Sequence, residues 1–368
     1  YRAYGAEALA IVRENPYRLA MDIHGIGFVT ADAAATKLGF EHDHPLRVQA
    51  GTLYVLQKAT DDGNVYLPQA ELTDAVCAQL GVDEGLVDDA LTALETDERI
   101  VREELDMPDA AGEVGVYMRR YHHCESKTAF YIQRLLRSPK SVRFEKPDAL
   151  VDKVVGELNI SLAAEQLEAV RTAARSKVMV LTGGPGTGKT TIINAIIKLF
   201  GEVRARILLA APTGRAAKRM SETSGRESRT IHRLLEYSPK EDGFARNEDN
   251  PLACGLLVVD EASMMDTLLF YHLLKAVPLG ATLVLVGDVH QLPSVGPGNV
   301  LSDIITSGVV PVVELTEIFR QSAESEIICN AHLINKGEIP SLESSKERLS
   351  DFYFIHQNDA EKTAELIV

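Results

Sequence analysis

The sequence predicts an α/β fold, with a doubly wound parallel sheet in its second half and a mainly helical region before it. In the second half of the chain, helical stretches alternate with short apolar runs rich in Val, Ile and Leu. Those runs are Val178–Leu181, Ile207–Ala211, Leu256–Val259, Leu283–Val286 and Val309–Val313. Continuous apolar runs of this length are typical of strands that are buried on both faces of a parallel sheet. Residues 1 to 150 instead show amphipathic stretches between Gly and Pro residues, which favours helices.

Composition limits the class of protein. The 368 residues, 45% hydrophobic and 25% charged, are typical of a globular chain with two or three domains. No apolar run approaches the roughly 18 residues of a transmembrane helix, so we expect no membrane partner. The cysteines Cys77, Cys124, Cys254 and Cys329 are scattered without a CxxC pair. This argues against a disulfide scaffold or a zinc site and favours the cytoplasm.

The charge is unevenly distributed. The net charge of −15 argues by itself against a nucleic-acid partner. However, the segment Arg204–Arg233, which we call the basic stripe, carries eight basic and two acidic residues. Because charge is screened beyond about 10 Å at ordinary salt, such a stripe can bind a polyanion on an acidic protein. Composition alone favours the plainer alternative, a solvated surface.

A phosphate-binding loop is the clearest motif. It comprises Gly183, Gly184, Pro185, Gly186, Thr187, Gly188, Lys189 and Thr190, followed by Thr191. The loop fits G-x-x-x-x-G-K-[ST], follows a predicted strand and precedes a predicted helix at Thr191–Phe200, as the motif requires. Its backbone N–H groups can surround phosphate oxygens, Lys189 supplies a charge to the outer phosphates, and Thr190 can ligate Mg²⁺. The alternative, a Gly-rich turn that binds nothing, explains neither flanking element.

Two carboxylates follow the strand Leu256–Val259. Asp260 lies at the carboxyl end of that strand, where open α/β sheets bind ligands. Asp260 can hold Mg²⁺ through water, and Glu261 can accept a proton from an attacking water. The alternative is a pair of exposed turn carboxylates without a function.

Further motifs identify the kind of nucleotide enzyme. In chain order they are Ala211–Ala217 (APTGRAA), Thr230–Leu235 (TIHRLL), Asp260–Ser263 (DEAS), Gly287–Gly298 (GDVHQLPSVGPG) and Leu315–Gln321 (LTEIFRQ). Over residues 160–340 the sequence resembles the superfamily 1 DNA helicases, specifically the RecD-like group that moves 5′ to 3′. The resemblance implies a RecA-like motor domain that uses ATP and Mg²⁺.

The resemblance also implies roles for individual residues of the ATP site. Gln166 is expected to contact the adenine edge, and Gln291 to couple the γ-phosphate to DNA contacts. Arg320 resembles an arginine finger, and Lys189 and Glu261 are the expected catalytic partners. The alternatives are a solvent-facing helix residue for Gln166 and a surface salt bridge for Arg320.

The basic stripe matches the strand-gripping motifs of the same group. The resemblance assigns single-stranded DNA contacts to Pro212, Thr213, Arg215, His232 and Arg233, and it implies single-strand/duplex junctions as substrates. For His232 the alternative is a packed core histidine. An insertion at residues 236–251 is expected to form a strand-separating pin hairpin, and the alternative there is a disordered surface loop.

The resemblance gives four domains. Residues 1–45 are expected to form a helix-hairpin-helix around Gly25 and Gly27, and residues 46–150 an acidic winged-helix-like domain. Residues 151–345 form the first motor domain, and residues 346–368 begin a truncated second one. Because the chain begins at Tyr1 rather than Met and ends within a predicted helix, we expect a piece of a longer protein. Alone it should bind ATP without unwinding DNA.

The residues by themselves also fit other functions. One is a P-loop ATPase that acts on a substrate other than DNA, such as a partition or transport motor. Another is a DNA-binding scaffold that holds ATP as a structural ligand. The resemblance itself favours a monomer, with other repair or recombination proteins as further partners.

Overall fold

The structure is a computed structural model that describes residues 5–23, 25–105, 112–240, 243–317, 325–340, 342 and 350–367. The chain divides into two compact units. The first unit comprises residues 1–131 with 266–271 and 294–299, and the second comprises 132–265, 272–293 and 300–368. None of the helices in the described ranges combines the length and apolar character that a bilayer crossing requires.

The first unit begins with helices and continues with a small sheet. After a 3₁₀ turn at Gly5–Glu7, its elements are α1 (Ala8–Glu14), α2 (Arg18–Asp22), α3 (Phe28–Lys37), α4 (Pro45–Asp61), β1 (Tyr66–Pro68), α5 (Gln69–Leu80), α6 (Glu84–Thr96), β2 (Ile100–Glu104), β3 (Val114–Met118) and α7 (Arg119–Arg137). Helix α7 continues into the second unit.

Helices α2 and α3 are joined by the predicted glycine turn. Gly25 has φ +91°, a left-handed backbone conformation that residues other than glycine rarely adopt. Gly27 precedes α3 as its N-cap. Tyr17 and Phe28 pack at this hairpin with their rings 6.0 Å apart, and both are buried. The helical N-terminal region is therefore confirmed.

The next elements are helices α4 to α6 and a three-stranded sheet. Strands predicted from the sequence at Arg99–Glu104 and Gly115–Met118 correspond to β2 and β3, which pair antiparallel, and β1 pairs with β3 so that the sheet order is β1-β3-β2. Strand β1 was not expected, because a three-residue strand ending in Pro68 is too short to show alternation. The core of the first unit contains the fully buried side chains of Leu56, Leu72 and Ile100.

The second unit alternates strands and helices. Its elements are α8 (Pro147–Leu158), α9 (Ala164–Arg175), β4 (Val178–Gly183), α10 (Lys189–Glu202), β5 (Ile207–Ala211), α11 (Gly214–Ser224), β6 (Ser228–Thr230), α12 (Ile231–Leu234), β7 (Tyr237–Ser238), β8 (Gly243–Phe244), β9 (Leu256–Val259), α13 (Thr267–Ala276), β10 (Thr282–Gly287), α14 (Val300–Thr306), β11 (Val312–Leu315), α15 (Glu326–Asn335) and α16 (Ala360–Ile367). Helix α13 begins in the first unit.

Six described strands form one parallel sheet in the order β11-β4-β10-β9-β5-β6. Strands β4, β9 and β10 are buried along their whole length, which explains their continuous apolar sequences. The parallel α/β prediction is confirmed, and the predicted strands Ile207–Ala211 and Leu256–Val259 have the predicted ends. Because β10 lies between β4 and β9, the chain segments that follow these three strands meet at one edge of the sheet.

Two predicted strands need correction. The apolar run Val309–Val313 gives a strand only from Val312 to Leu315, because Pro311 lacks an N–H and Val309 is 57% exposed. The segment Phe352–Ile355, which the sequence also predicts as a strand, has no regular secondary structure, and no described strand pairs with it. Its β-branched and aromatic residues favour a strand only when a partner strand is present.

Candidate active site

The phosphate-binding loop connects β4 to α10. Gly183, the last residue of β4, has no room for a side chain. A Cβ there would lie 2.8 Å from the backbone oxygen of Leu315 on β11 and 2.9 Å from Thr187 Oγ1. Gly186 and Gly188 have φ values of +76° and +85°, so both glycines provide left-handed backbone that turns the loop toward the start of α10.

The loop borders a cavity of about 770 Å³ in the second unit. The predicted site residues that line it are Gln166, Gly184, Pro185, Gly186, Thr187, Gly188, Lys189, Thr190, Thr191, Asp260, Glu261 and Gln291. Arg320, the predicted arginine finger, lies outside the described residues. The structure thus brings together, around one cavity, residues that are 125 positions apart in the chain (Gln166 and Gln291).

Lys189 interacts with its own loop. Its Nζ donates to the backbone oxygens of Gly183 and Gly184, the latter at 2.9 Å. Burial lowers the pKa of Lys189, and the negative charges of Asp288, Glu261 and Asp260 oppose that shift. An ammonium group so placed lies where a nucleotide's outer phosphates are held in this kind of loop.

The two predicted carboxylates lie directly after β9. Burial raises the pKa of Asp260, and burial together with the adjacent charge of Asp260 raises the pKa of Glu261. Glu261 has φ +52°, and its N–H donates to Asp260 Oδ1 at 2.9 Å. A non-glycine residue in left-handed conformation is strained, which is common in functional sites. A carboxylate with a raised pKa is also a better general base near neutral pH.

The side chains at the cavity suit a magnesium ion bound together with a nucleotide. Thr190 and Asp260 offer oxygen ligands beside the phosphate-binding loop. Among the described residues, no group of three or more His, Cys, Asp or Glu could hold a metal. This is compatible with Mg²⁺, which in such sites takes one or two protein ligands and completes its shell with water and phosphate oxygens.

Gln166 has structural contacts that sequence reasoning missed. Its side chain is buried, its Oε1 accepts from the N–H of Ala163 at 3.1 Å, and its Nε2 donates to the backbone oxygen of Thr187 at 3.0 Å. The amide thus ties the start of α9 to the phosphate-binding loop. The solvent-facing alternative is wrong, and a contact of Gln166 with adenine stays a prediction.

Gln291 lies after β10 and is exposed at the cavity. Its Nε2 donates to Asp288 Oδ2 at 3.3 Å, and Asp288 Oδ1 accepts from the N–H of His290 at 3.0 Å. Asp288 is 1% exposed. The buried carboxylate thus orients the amide that was predicted to sense the γ-phosphate.

Sequence reasoning missed several residues at this site, among them three on helices α11 and α15. Arg219 on α11 and Ile328 on α15 line the cavity, and His332 Nε2 lies 3.3 Å from the backbone oxygen of Pro185. A Cβ on Gly184 would lie 2.5 Å from the His332 ring, so the close approach of α15 requires this glycine. Periodicity places α11 and α15 as helices but does not indicate which face meets the loop.

The predicted DNA contacts lie beside each other. Strands β5 and β6 are parallel neighbours with Ala211 opposite Thr230, so the segments after them leave the same edge of the sheet. Thr213 Oγ1 accepts from the N–H of Ala216 at the start of α11, and Thr230 Oγ1 accepts from the N–H of Arg233 at the start of α12. Pro212 and Thr213 are partly buried there.

Three of the predicted DNA-contacting side chains are exposed: Arg215, His232 and Arg233. The alternative of a packed core histidine is therefore wrong for His232. Its ring contacts Tyr237 at 5.8 Å and Phe244 at 5.7 Å, measured between ring centroids. These two aromatic residues lie on β7 and β8, which pair as an antiparallel hairpin within the predicted insertion at residues 236–251.

A second cavity, of about 410 Å³, lies in the first unit. Its lining includes Asp74, Glu84, Asp88 and Glu113. An acidic lining repels phosphate, so this cavity does not compete with the phosphate-binding loop as a nucleotide site.

Comparison with known proteins gives two family matches. Residues 1–66 match the family described as "ATP-dependent RecD2 DNA helicase HHH domain", and residues 166–297 match the family described as "AAA domain". The second match begins at Gln166 and ends near the GDVHQLPSVGPG motif. Together they cover the glycine hairpin and the part of the site between Gln166 and Gln291.

Curated relatives match over longer stretches. The chain is 36% identical over 356 residues to the ATP-dependent RecD2 DNA helicase of Deinococcus radiodurans, which covers 95% of this chain and 48% of that protein. It is 42% identical over 164 residues to the RecBCD enzyme subunit RecD of Mycobacterium tuberculosis, covering 38% and 28% of the two chains. It is 38% identical over 154 residues to the ATP-dependent DNA helicase dda of Enterobacteria phage T4, covering 39% and 35%. The chain thus spans about half the length of the first of these relatives and matches a smaller share of the other two.

Proposed function

This chain belongs to the RecD-like helicase family, and from that premise we propose that it carries the ATP site and the single-strand contacts of a 5′-to-3′ DNA helicase. One observation carries the proposal. Lys189, Thr190, Asp260, Glu261 and Gln291 border a single cavity. The exposed Arg215 on α11 and Arg233 on α12 follow the neighbouring strands β5 and β6, so both lie at the same edge of the sheet.

The ATP chemistry follows from the side chains around the cavity. Lys189 and the backbone N–H groups of the loop bind the phosphates, and Thr190 and Asp260 hold Mg²⁺. The bound ion supplies positive charge that stabilises the transferred phosphoryl group. Glu261, whose pKa is raised by burial, accepts the proton of the attacking water. Gln291, oriented by Asp288, donates to the γ-phosphate.

The DNA contacts are proposed to be contacts to phosphates. Arg215 and Arg233 present guanidinium groups to the backbone of a single strand, which gives affinity without sequence choice. The aromatic hairpin β7–β8 lies directly beside His232 and is proposed to meet the junction at which the duplex opens. Single strands and single-strand/duplex junctions are the substrates that these contacts suit.

The 368 residues match only part of the length of the RecD2 relative. Because the chain spans 48% of the RecD2 relative, we propose that unwinding requires more of the protein than this chain. The 368 residues alone bind ATP, hydrolyse it slowly and act as a monomer. The scattered cysteines favour a reducing compartment such as the cytoplasm, and repair or recombination proteins are proposed partners.

A strand-displacement assay tests the proposed activity. The full-length protein should open a duplex with a 5′ single-stranded tail, should not open one with a 3′ tail, and should require ATP and Mg²⁺. The Lys189→Ala variant should lose both ATP binding and unwinding, because it lacks the cation on the outer phosphates. Unwinding only from the 3′ tail would overturn the polarity, and ATP hydrolysis that is indifferent to DNA would favour an ATPase with another substrate.

A further inference from the structure

Arg219 is a cation at the nucleotide cavity that the proposed mechanism has not used. It lies on α11, one turn beyond Arg215, and its side chain lines the cavity together with Lys189, Asp260 and Glu261. Some arginines of the second unit are paired: Arg229 contacts Glu227 at 2.8 Å, and Arg246 contacts Glu236 at 2.7 Å. Within the described ranges, no carboxylate lies within salt-bridge distance of the Arg219 guanidinium.

The charge balance of the cavity shows why an additional cation matters. Lys189 faces three carboxylates, those of Asp260, Glu261 and Asp288, so without Arg219 the protein groups around the phosphates are net negative. ATP bound with Mg²⁺ is itself a dianion. Burial raises the pKa of both Asp260 and Glu261, and Arg219 is close enough that its charge partly opposes that rise. It therefore reduces the repulsion that the carboxylates exert on an incoming triphosphate.

The geometry points to Arg219 as a second cation, besides Lys189, for the terminal phosphate of ATP in this cavity. This inference rests on the proposed ATP site. A guanidinium donates through a planar fork and makes charge-assisted hydrogen bonds to phosphate. Because Arg219 lines the cavity with Asp260 and Glu261, the proposed metal ligand and the proposed base, and its charge acts on both, we place its contact on the γ-phosphate. ADP lacks that group and does not use the contact.

Equilibrium binding of ATP and of ADP to this chain, each with Mg²⁺, tests the inference in four proteins: the parent, Arg219→Ala, Lys218→Ala and Lys189→Ala. Lys218 is the matched control, since it is the adjacent exposed cation on α11, it does not line the cavity, and its loss changes the net charge equally. A lost charge-assisted hydrogen bond lowers affinity by about tenfold to a hundredfold. Arg219→Ala should lose that much for ATP and less than about threefold for ADP, while Lys218→Ala binds both as the parent does.

Three results separate the inference from the proposed function. Equal losses of ATP and ADP affinity in Arg219→Ala, or the same ATP loss in Lys218→Ala, would overturn the γ-phosphate contact. Parent-like ATP affinity in Arg219→Ala, together with lost binding in Lys189→Ala, would overturn the inference and leave the ATP site intact. A parent chain that binds neither nucleotide would overturn the proposed function itself. Thermal unfolding of each variant shows that it is folded, which is expected because both α11 side chains are exposed.

Discussion

Replacing Gly183 by alanine should destabilise the second unit, because the end of β4 leaves no space for a methyl group. The new Cβ would lie 2.8 Å from the backbone oxygen of Leu315 and 2.9 Å from the Cβ of the same residue. Leu315 belongs to the paired strand β11, so its carbonyl cannot rotate away as a flexible side chain could. Overpacking of this kind costs about 1–3 kcal/mol.

Thermal unfolding followed by circular dichroism measures this cost. For a unit of this size, 1 kcal/mol shifts Tm by about 2–4 °C, so Gly183→Ala should lower Tm by about 2–12 °C. The matched control is Gly156→Ala on α8, where the added Cβ would meet no atom within 4 Å. That change should instead stabilise the helix by about 0.5–1 kcal/mol. A Tm for Gly183→Ala at or above that of the parent would refute the steric argument, as would an equal loss in Gly156→Ala.

The remaining predictions concern single charges. Glu261→Gln should keep ATP binding but lower hydrolysis by about 10²–10⁴-fold, because it removes the base and keeps the shape; parent-like turnover would exclude Glu261 as the base. Arg215→Ala combined with Arg233→Ala should reduce the salt slope of single-strand affinity by about 0.7 per lost phosphate contact, and an unchanged slope would make these residues solvated surface. Asp260→Asn should be more stable than the parent at pH 7. The pKa of Asp260 is raised by burial, so the parent loses stability as pH rises above about 4, where the unfolded carboxyl ionises. Urea unfolding should show the difference vanishing near that pH; an equal difference at both pH values would contradict the burial argument.

Much of this fold could be predicted from the sequence, because several strands are buried on both faces and therefore continuously apolar. Leu256–Val259 shows this directly, since all four residues are buried. The failures have physical causes. Phe352–Ile355 has strand-forming residues without a described partner strand, and β1 exists because β3 pairs with it rather than because of its own pattern.

In the candidate site, too, the local motifs could be predicted from the sequence, whereas the contacts that depend on packing could not. The phosphate-binding loop and Asp260 could be found from local spacing, because a motif and a strand end determine where they lie. The buried contacts of Gln166 and the approach of Arg219 depend on how helices α9 and α11 pack against the sheet. Sequence periodicity gives the apolar face of a helix. It does not give the position of one arginine after β5 relative to a loop after β4, since two other strands lie between β4 and β5.

Lys189 donates hydrogen bonds to the carbonyl oxygens of Gly183 and Gly184, and these oxygens compete with a phosphate for the same ammonium group. A phosphate that binds must replace these two carbonyl oxygens as the partner of the ammonium group. The affinity of the loop for phosphate is therefore the difference between two similar sets of contacts. The same carbonyls are available again when the product dissociates, and the lysine does not become an uncompensated buried charge. A loop built this way should release its ligand more readily than one whose lysine has no other partner.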